Sequence, residues 1–129
     1  MNGLRTGVVP FLGLPLCLEP EPVPGVVLGA PFDGGTIHRP GARMGPWALR
    51  NASLGLGRIP LPLRFQGVEN VIPTQAAINW VDGGNIPTRP FDVHEALAAM
   101  THTMGAWIEL GARTLVLGGD HLMTQEALA

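Results

Sequence analysis

An α/β fold built on a parallel, doubly wound sheet is predicted by three features of this sequence. First, Val26-Val27-Leu28 and Thr114-Leu115-Val116-Leu117 are short, β-branched, uninterrupted apolar runs closed by glycine, the pattern of strands buried on both faces. Second, the segment between them carries a helical apolar period behind an aspartate cap, so strands alternate with helices. Third, an acidic residue follows each expected strand, at Asp33, Asp82 and Asp120. In an open sheet of this kind ligands gather beyond the carboxyl ends of the strands.

Taken in order, Val8 to Leu18 is an apolar run interrupted by Pro10 and Pro15 and is expected to pack on the domain surface. Arg5 is the only positive charge ahead of it and no Ala-x-Ala site follows, so it does not read as a signal peptide. Glu19 to Pro24 alternates with proline and reads as an extended linker. Val26 to Pro31 is the first strand. Phe32 to Gly45 has no hydrophobic period but holds Asp33, Gly34-Gly35, His38, Arg39 and Arg43; it reads as a functional loop, or as one whose arginines pair at a surface or subunit contact. Pro46 suits a first helical position, with Trp47, Leu49, Ala52 and Leu56 as the apolar stripe and Gly55 and Gly57 as the stop. Arg58 to Leu63 is irregular. The second strand is better placed at Ala77 to Asp82, stopped by Gly83-Gly84, than at Asn70-Val71-Ile72, which Pro73 breaks.

Asp92 and Glu95 form a capping box, and Val93, Ala96, Leu97, Met100, Met104, Trp107 and Ile108 follow at helical spacing to Gly111. The third strand then ends in Gly118-Gly119, and Asp120 caps a helix beginning at His121. The 129 residues amount to one domain.

Composition excludes several classes. A net charge of −2 leaves no basic footprint for nucleic acid. No apolar run is long enough to span a bilayer. Cys17 is the sole cysteine, which rules out an internal disulfide, and its apolar neighbours suit a buried thiol; a reducing, cytoplasmic setting is expected.

Familiar catalytic motifs fail. His94-Glu95 opens a His-Glu-x-x-His pattern, but Ala98 stands where the second histidine belongs. His94 and His102 read as exposed helix residues. There is no lysine for a phosphate loop, no dinucleotide glycine spacing and no Gly-x-Ser-x-Gly elbow. What remains is a rim at which Asp33, Asp82, Asp120 and His121 could converge on a cation. The alternative is that Asp33 and Asp82 are turn residues and Asp120 a helix cap.

Two stretches carry a resemblance. Val26 to Thr36 followed by Arg39-Pro40-Gly41-Ala42-Arg43-Met44-Gly45-Pro46 and Leu49-Arg50, together with Leu115-Val116-Leu117-Gly118-Gly119-Asp120-His121 and Thr124, resembles the ureohydrolase family (arginase, agmatinase, guanidinobutyrase), in particular its agmatinase-like branch. Thr6 to Phe11 is similar to the segment before that family's first strand.

The resemblance implies an arginase-like three-layer α/β/α fold, with residues 1–129 as the N-terminal part of one such domain, cut after the third strand. It implies manganese-dependent hydrolysis of a guanidino compound, agmatine-like, to urea and an amine, a reaction on a linear amidine C–N bond. A binuclear Mn2+ centre supplies the attacking hydroxide. His121 is implied as a metal ligand, Asp120 as its neighbour and not a ligand, and the Arg39 to Pro46 loop as the site mouth or a subunit contact. The implied partners are a small guanidino substrate and further copies of the chain in a homo-oligomer, with neither nucleic acid nor membrane.

Departures are present: Leu122 replaces the usual serine after the motif histidine, and Gly84-Asn85 stands where the family has Gly-Asp. The family's Asp-Ala-His-x-Asp and Asp-x-Asp motifs do not occur, so the chain alone is expected to be inactive. The alternative expectation is a non-catalytic binding or assembly module of the same fold.

Overall fold

The computed structural model describes residues 9–55 and 79–127. These form a parallel three-stranded sheet in the order β2-β1-β3, where β1 is Gly25–Gly29, β2 is Trp80–Asn85 and β3 is Arg113–Leu117. Helix α1 (Gly45–Ser53) follows β1, α2 (Val93–Glu109) joins β2 to β3, and a short α3 (Thr124–Ala127) follows a single 3-10 turn, His121–Met123. Arg58 to Leu63, Asn70 to Ile72, Leu56, Gly57, and the start of the expected second strand at Ala77-Ile78 lie outside the described residues, as does the beginning of the Thr6 to Phe11 segment.

The two sides of β1 face two different layers, because alternate residues of a strand point to opposite faces. Val26 and Leu28 enter a core with Ala96, Met100, Met104 and Trp107 of α2, all fully or nearly buried. Val27 packs instead with Leu14 and Leu117. Pro46 and Arg50 of α1 lie over Gly29 on that second face. The result is helix, sheet, helix, as expected of the fold. Asp92 caps α2 by accepting from Glu95 N at 2.9 Å. The reciprocal half of the capping box does not form: Glu95 turns its carboxylate to Arg89, 3.1 Å away. Ile108, expected on the core stripe, is 52 % exposed.

Three other expectations are corrected. The second strand does not stop at Gly83-Gly84 but runs through them to Asn85. Gly83 is there for packing, since a Cβ would come 2.7 Å from Leu28 Cδ2 and press on Val26 and Trp107, and Gly84 (φ 76°) absorbs a register shift against β1. β3 is not buried on both faces: Leu115 is 43 % exposed, because β3 has a neighbour on one side only among the described residues. Finally, α1 buries Pro46, Arg50 and Ser53, while Trp47, Leu49 and Ala52 face outward. The polar network set out below, not apolar periodicity, decides which side of α1 turns inward.

The Val8 to Leu18 run, from its described part onward, lies along the outer edge of β2. Asp82 N donates to Pro15 O and Cys17 N to Asp82 O, both at 2.9 Å, with Leu14 buried. Cys17 is half-buried and its Sγ donates to Glu19 O; burial pushes the thiol pKa up, which suits an unreactive side chain.

Candidate active-site crevice

With β1 in the centre, the connection from β1 leads to one neighbour and the chain returns past it to the other. The strand order therefore reverses between β1 and β3, and in open α/β sheets the crevice beyond the carboxyl ends at such a reversal is where ligands bind. The loops leaving β1 and β3 meet there. Their backbones continue to pair past the strands: Ala30 N donates to Leu117 O at 2.8 Å, Gly119 N to Ala30 O at 3.0 Å and Asp120 N to Phe32 O at 2.9 Å. A Cβ at Gly119 would overlap Phe32 O and Ala30 O, so the second glycine of the pair is what allows the approach.

The acids around this crevice are not interchangeable. Asp33 is buried and organises its own loop. Its Oδ1 lies 2.9 Å from Arg43 Nε, and its Oδ2 accepts from Gly41 N at 2.7 Å and Arg43 N at 3.3 Å. The Arg43 guanidinium, helped by these N–H groups and opposed by burial, holds the Asp33 carboxyl below the usual carboxylate range. Of the two readings of the loop arginines, pairing accounts for Arg43, although within the chain rather than across a subunit contact. Arg39 stays exposed. Asp120 accepts from Leu122 N through Oδ1 at 3.1 Å and from Gly35 N through Oδ2 at 2.7 Å. It is the expected helix cap, and also a tie to the β1 loop.

Asp82 is not at the rim at all. It lies inside β2, fully buried, with Arg50 Nε on Oδ2 at 2.9 Å and Arg50 Nη2 on Oδ1 at 2.8 Å. The expectation of three strand tips sharing one rim is thus corrected to two. Arg50, which sequence reasoning did not single out by chemistry, also donates to Asn85 Oδ1 at 2.6 Å and Gly84 O at 3.0 Å. The signal was present: an aspartate in an apolar strand must be paired, and Arg50 shares a helix face with Pro46 and Ser53.

His121 is exposed on the β3 side of the crevice, with Nδ1 3.4 Å from Thr124 Oγ1. Leu122, in the place of a serine, packs against the core instead of offering a hydroxyl. His94 and His102 are exposed on α2, as expected. Among the described residues no group of three or more His, Cys, Asp or Glu side chains is arranged to hold a metal ion. The described residues therefore hold no complete centre of that kind, and His121 is an exposed imidazole at the crevice. No described helix is long and apolar enough to cross a membrane.

Comparison with known proteins agrees with this architecture. The sequence model of the arginase family matches residues 24–129. The chain is 39% identical over 118 residues to proclavaminate amidinohydrolase of Streptomyces clavuligerus, covering 92% of this chain and 36% of that protein. It is 31% identical to guanidinopropionase of Pseudomonas aeruginosa, covering 92% of this chain and 35% of the relative. Among solved structures, the Streptomyces amidinohydrolase superposes with a TM-score of 0.78 at 38% identity, over 94% of this chain and 39% of that one. A hypothetical agmatinase from Burkholderia thailandensis gives 0.74 at 30% identity, over 94% and 36%. The chain thus spans roughly a third of the length of the relatives it matches.

Proposed function

Because this chain belongs to the arginase family, we propose that the protein carrying it hydrolyses a small guanidino compound to urea and an amine, using manganese. The observation that carries the reading is the meeting of the β1 loop with Gly119-Asp120-His121 at the reversal point of the sheet. His121 is the ligand this chain would contribute, an exposed imidazole just beyond the carboxyl end of β3, its Nδ1 3.4 Å from Thr124 Oγ1. Manganese held there would supply a water of lowered pKa and a positive charge beside the guanidino group. The remaining ligands would come from outside the described residues.

Within this chain the work is positional. Asp33 and Arg43 hold the β1 loop in shape, and Asp120 holds it against the β3 loop. Similar proteins include a mitochondrial guanidino acid hydrolase from rat and an agmatinase from Chromobacterium violaceum, so the class proposed is defined by the guanidino group and includes both acid and amine tails. A cytoplasmic homo-oligomer is the proposed setting, in line with the lone half-buried Cys17.

The test is urea release by the intact gene product with Mn2+, offered guanidinobutyrate, guanidinopropionate, agmatine and arginine in turn. Urea from at least one, abolished by chelation and by His121→Asn, is expected. Folded protein that binds Mn2+ and yields no urea from any would favour a binding or assembly module instead.

A further inference from the structure

We propose that Asp120 is a positioning residue that latches the β1 loop to the β3 loop and so fixes the place of His121, without being a ligand itself. The proposal rests on His121 as a metal ligand, the reading given above. Both carboxylate oxygens of Asp120 are already committed, Oδ2 to Gly35 N at 2.7 Å and Oδ1 to Leu122 N at 3.1 Å. Its own N–H is held by Phe32 O at 2.9 Å. His121 is thus bracketed by an anchored residue on one side and an anchored N–H on the other. Turning the carboxylate toward a cation would release two charge-assisted bonds at once. The latch also has a shaped keeper: a Cβ on Gly35 would sit 2.9 Å from Asp120 Oδ2 and 3.1 Å from Leu122 Cβ, so a methyl there would push the carboxylate off that N–H. Groups that orient a metal ligand without touching the metal typically alter affinity by about 10–100-fold when removed.

The experiment measures Mn2+ affinity of the intact gene product by the electron paramagnetic resonance signal of free Mn2+, with thermal melts recorded alongside. The variants are Asp120→Ala, Asp120→Asn, Gly35→Ala, the double Asp120→Ala/Gly35→Ala, and His121→Ala as reference. Asp120→Ala and Gly35→Ala are each expected to weaken binding about 10–100-fold, with the double no weaker than the worse single, because both break the same Gly35–Asp120 contact. Asp120→Asn, which keeps one acceptor oxygen, is expected between wild type and Asp120→Ala. Loss of metal by Asp120→Ala equal to that of His121→Ala, with Gly35→Ala silent, would make Asp120 a ligand and overturn the proposal. Unchanged affinity in both Asp120→Ala and Gly35→Ala, with His121→Ala defective, would remove the latch and leave the ligand reading standing. Unchanged affinity in His121→Ala would overturn the ligand reading, and the latch with it. Should Asp120→Ala not fold, Gly35→Ala and Asp120→Asn decide the matter in the same terms.

Discussion

Arg50 and Asp82 meet through two parallel contacts, Nε to Oδ2 at 2.9 Å and Nη2 to Oδ1 at 2.8 Å, with both side chains out of solvent. The same carboxylate accepts from Phe11 N at 2.7 Å, and Ser53 Oγ accepts from Leu12 N at 2.8 Å. One ion pair and one hydroxyl therefore bind α1, β2 and the N-terminal segment together. They also hold Leu12 in a left-handed conformation (φ 54°) that costs about 1–2 kcal/mol in an L-residue.

Removing one partner leaves a buried charge alone, so Arg50→Met is expected to lower stability by about 3–5 kcal/mol, read from denaturant midpoints. Arg50→Lys should recover little, because a point charge cannot reproduce the fork. The double replacement Arg50→Met/Asp82→Leu should regain a substantial part of the loss.

Asp33 gives a pH dependence with a definite sign. Its carboxyl is held by Arg43 below the ordinary value near 3.8, so the stability it adds is present above that value and disappears as pH falls through the depressed one. Asp33→Asn should be less stable than wild type at neutral pH, and the gap should close in acid, below about pH 4. Urea titrations across that range check it.

The two glycines of the β3 turn should behave oppositely. Gly118→Ala meets nothing within 4 Å and has no left-handed φ, so it should be neutral or stabilising by about 0.4–1 kcal/mol. Gly119→Ala drives a methyl into Phe32 O and Ala30 O and should cost more than about 2 kcal/mol, or prevent the loops from meeting. Thermal melts of the pair make the comparison.

Asp92→Ala removes the acceptor for Glu95 N at the start of α2 and should cost about 0.5–2 kcal/mol. Asp92→Asn, which keeps the oxygen, should cost less, and hydrogen exchange of the Glu95 amide should report both.

Local signals carried much of this fold. Apolar β-branched runs gave β1 and β3, and the α2 period and its cap were read nearly to the residue, because each depends on neighbours close in sequence. Asp82, Gly83 and Gly84 misled for a common reason: an acid followed by glycines looks like a strand end unless the distant Arg50 and Trp107 are known to be opposite. The inward face of α1 is hidden from local sequence for the same reason, since it is chosen by Arg50 and Ser53 hydrogen bonds rather than by hydrophobicity. At the crevice, Asp120 as cap was legible from its place before a helix, whereas its hold on Gly35, 85 positions earlier, was not.

The central position of β1 bears on how the chain comes to be folded. Gly25 pairs with Trp80 on one side and with Arg113 on the other, so this apolar strand is made before either of its hydrogen-bonded neighbours and gains neither until long afterwards. Pairings this remote in sequence form slowly. Val26, Val27 and Leu28 are therefore the stretch a chaperone would be expected to shield while synthesis proceeds.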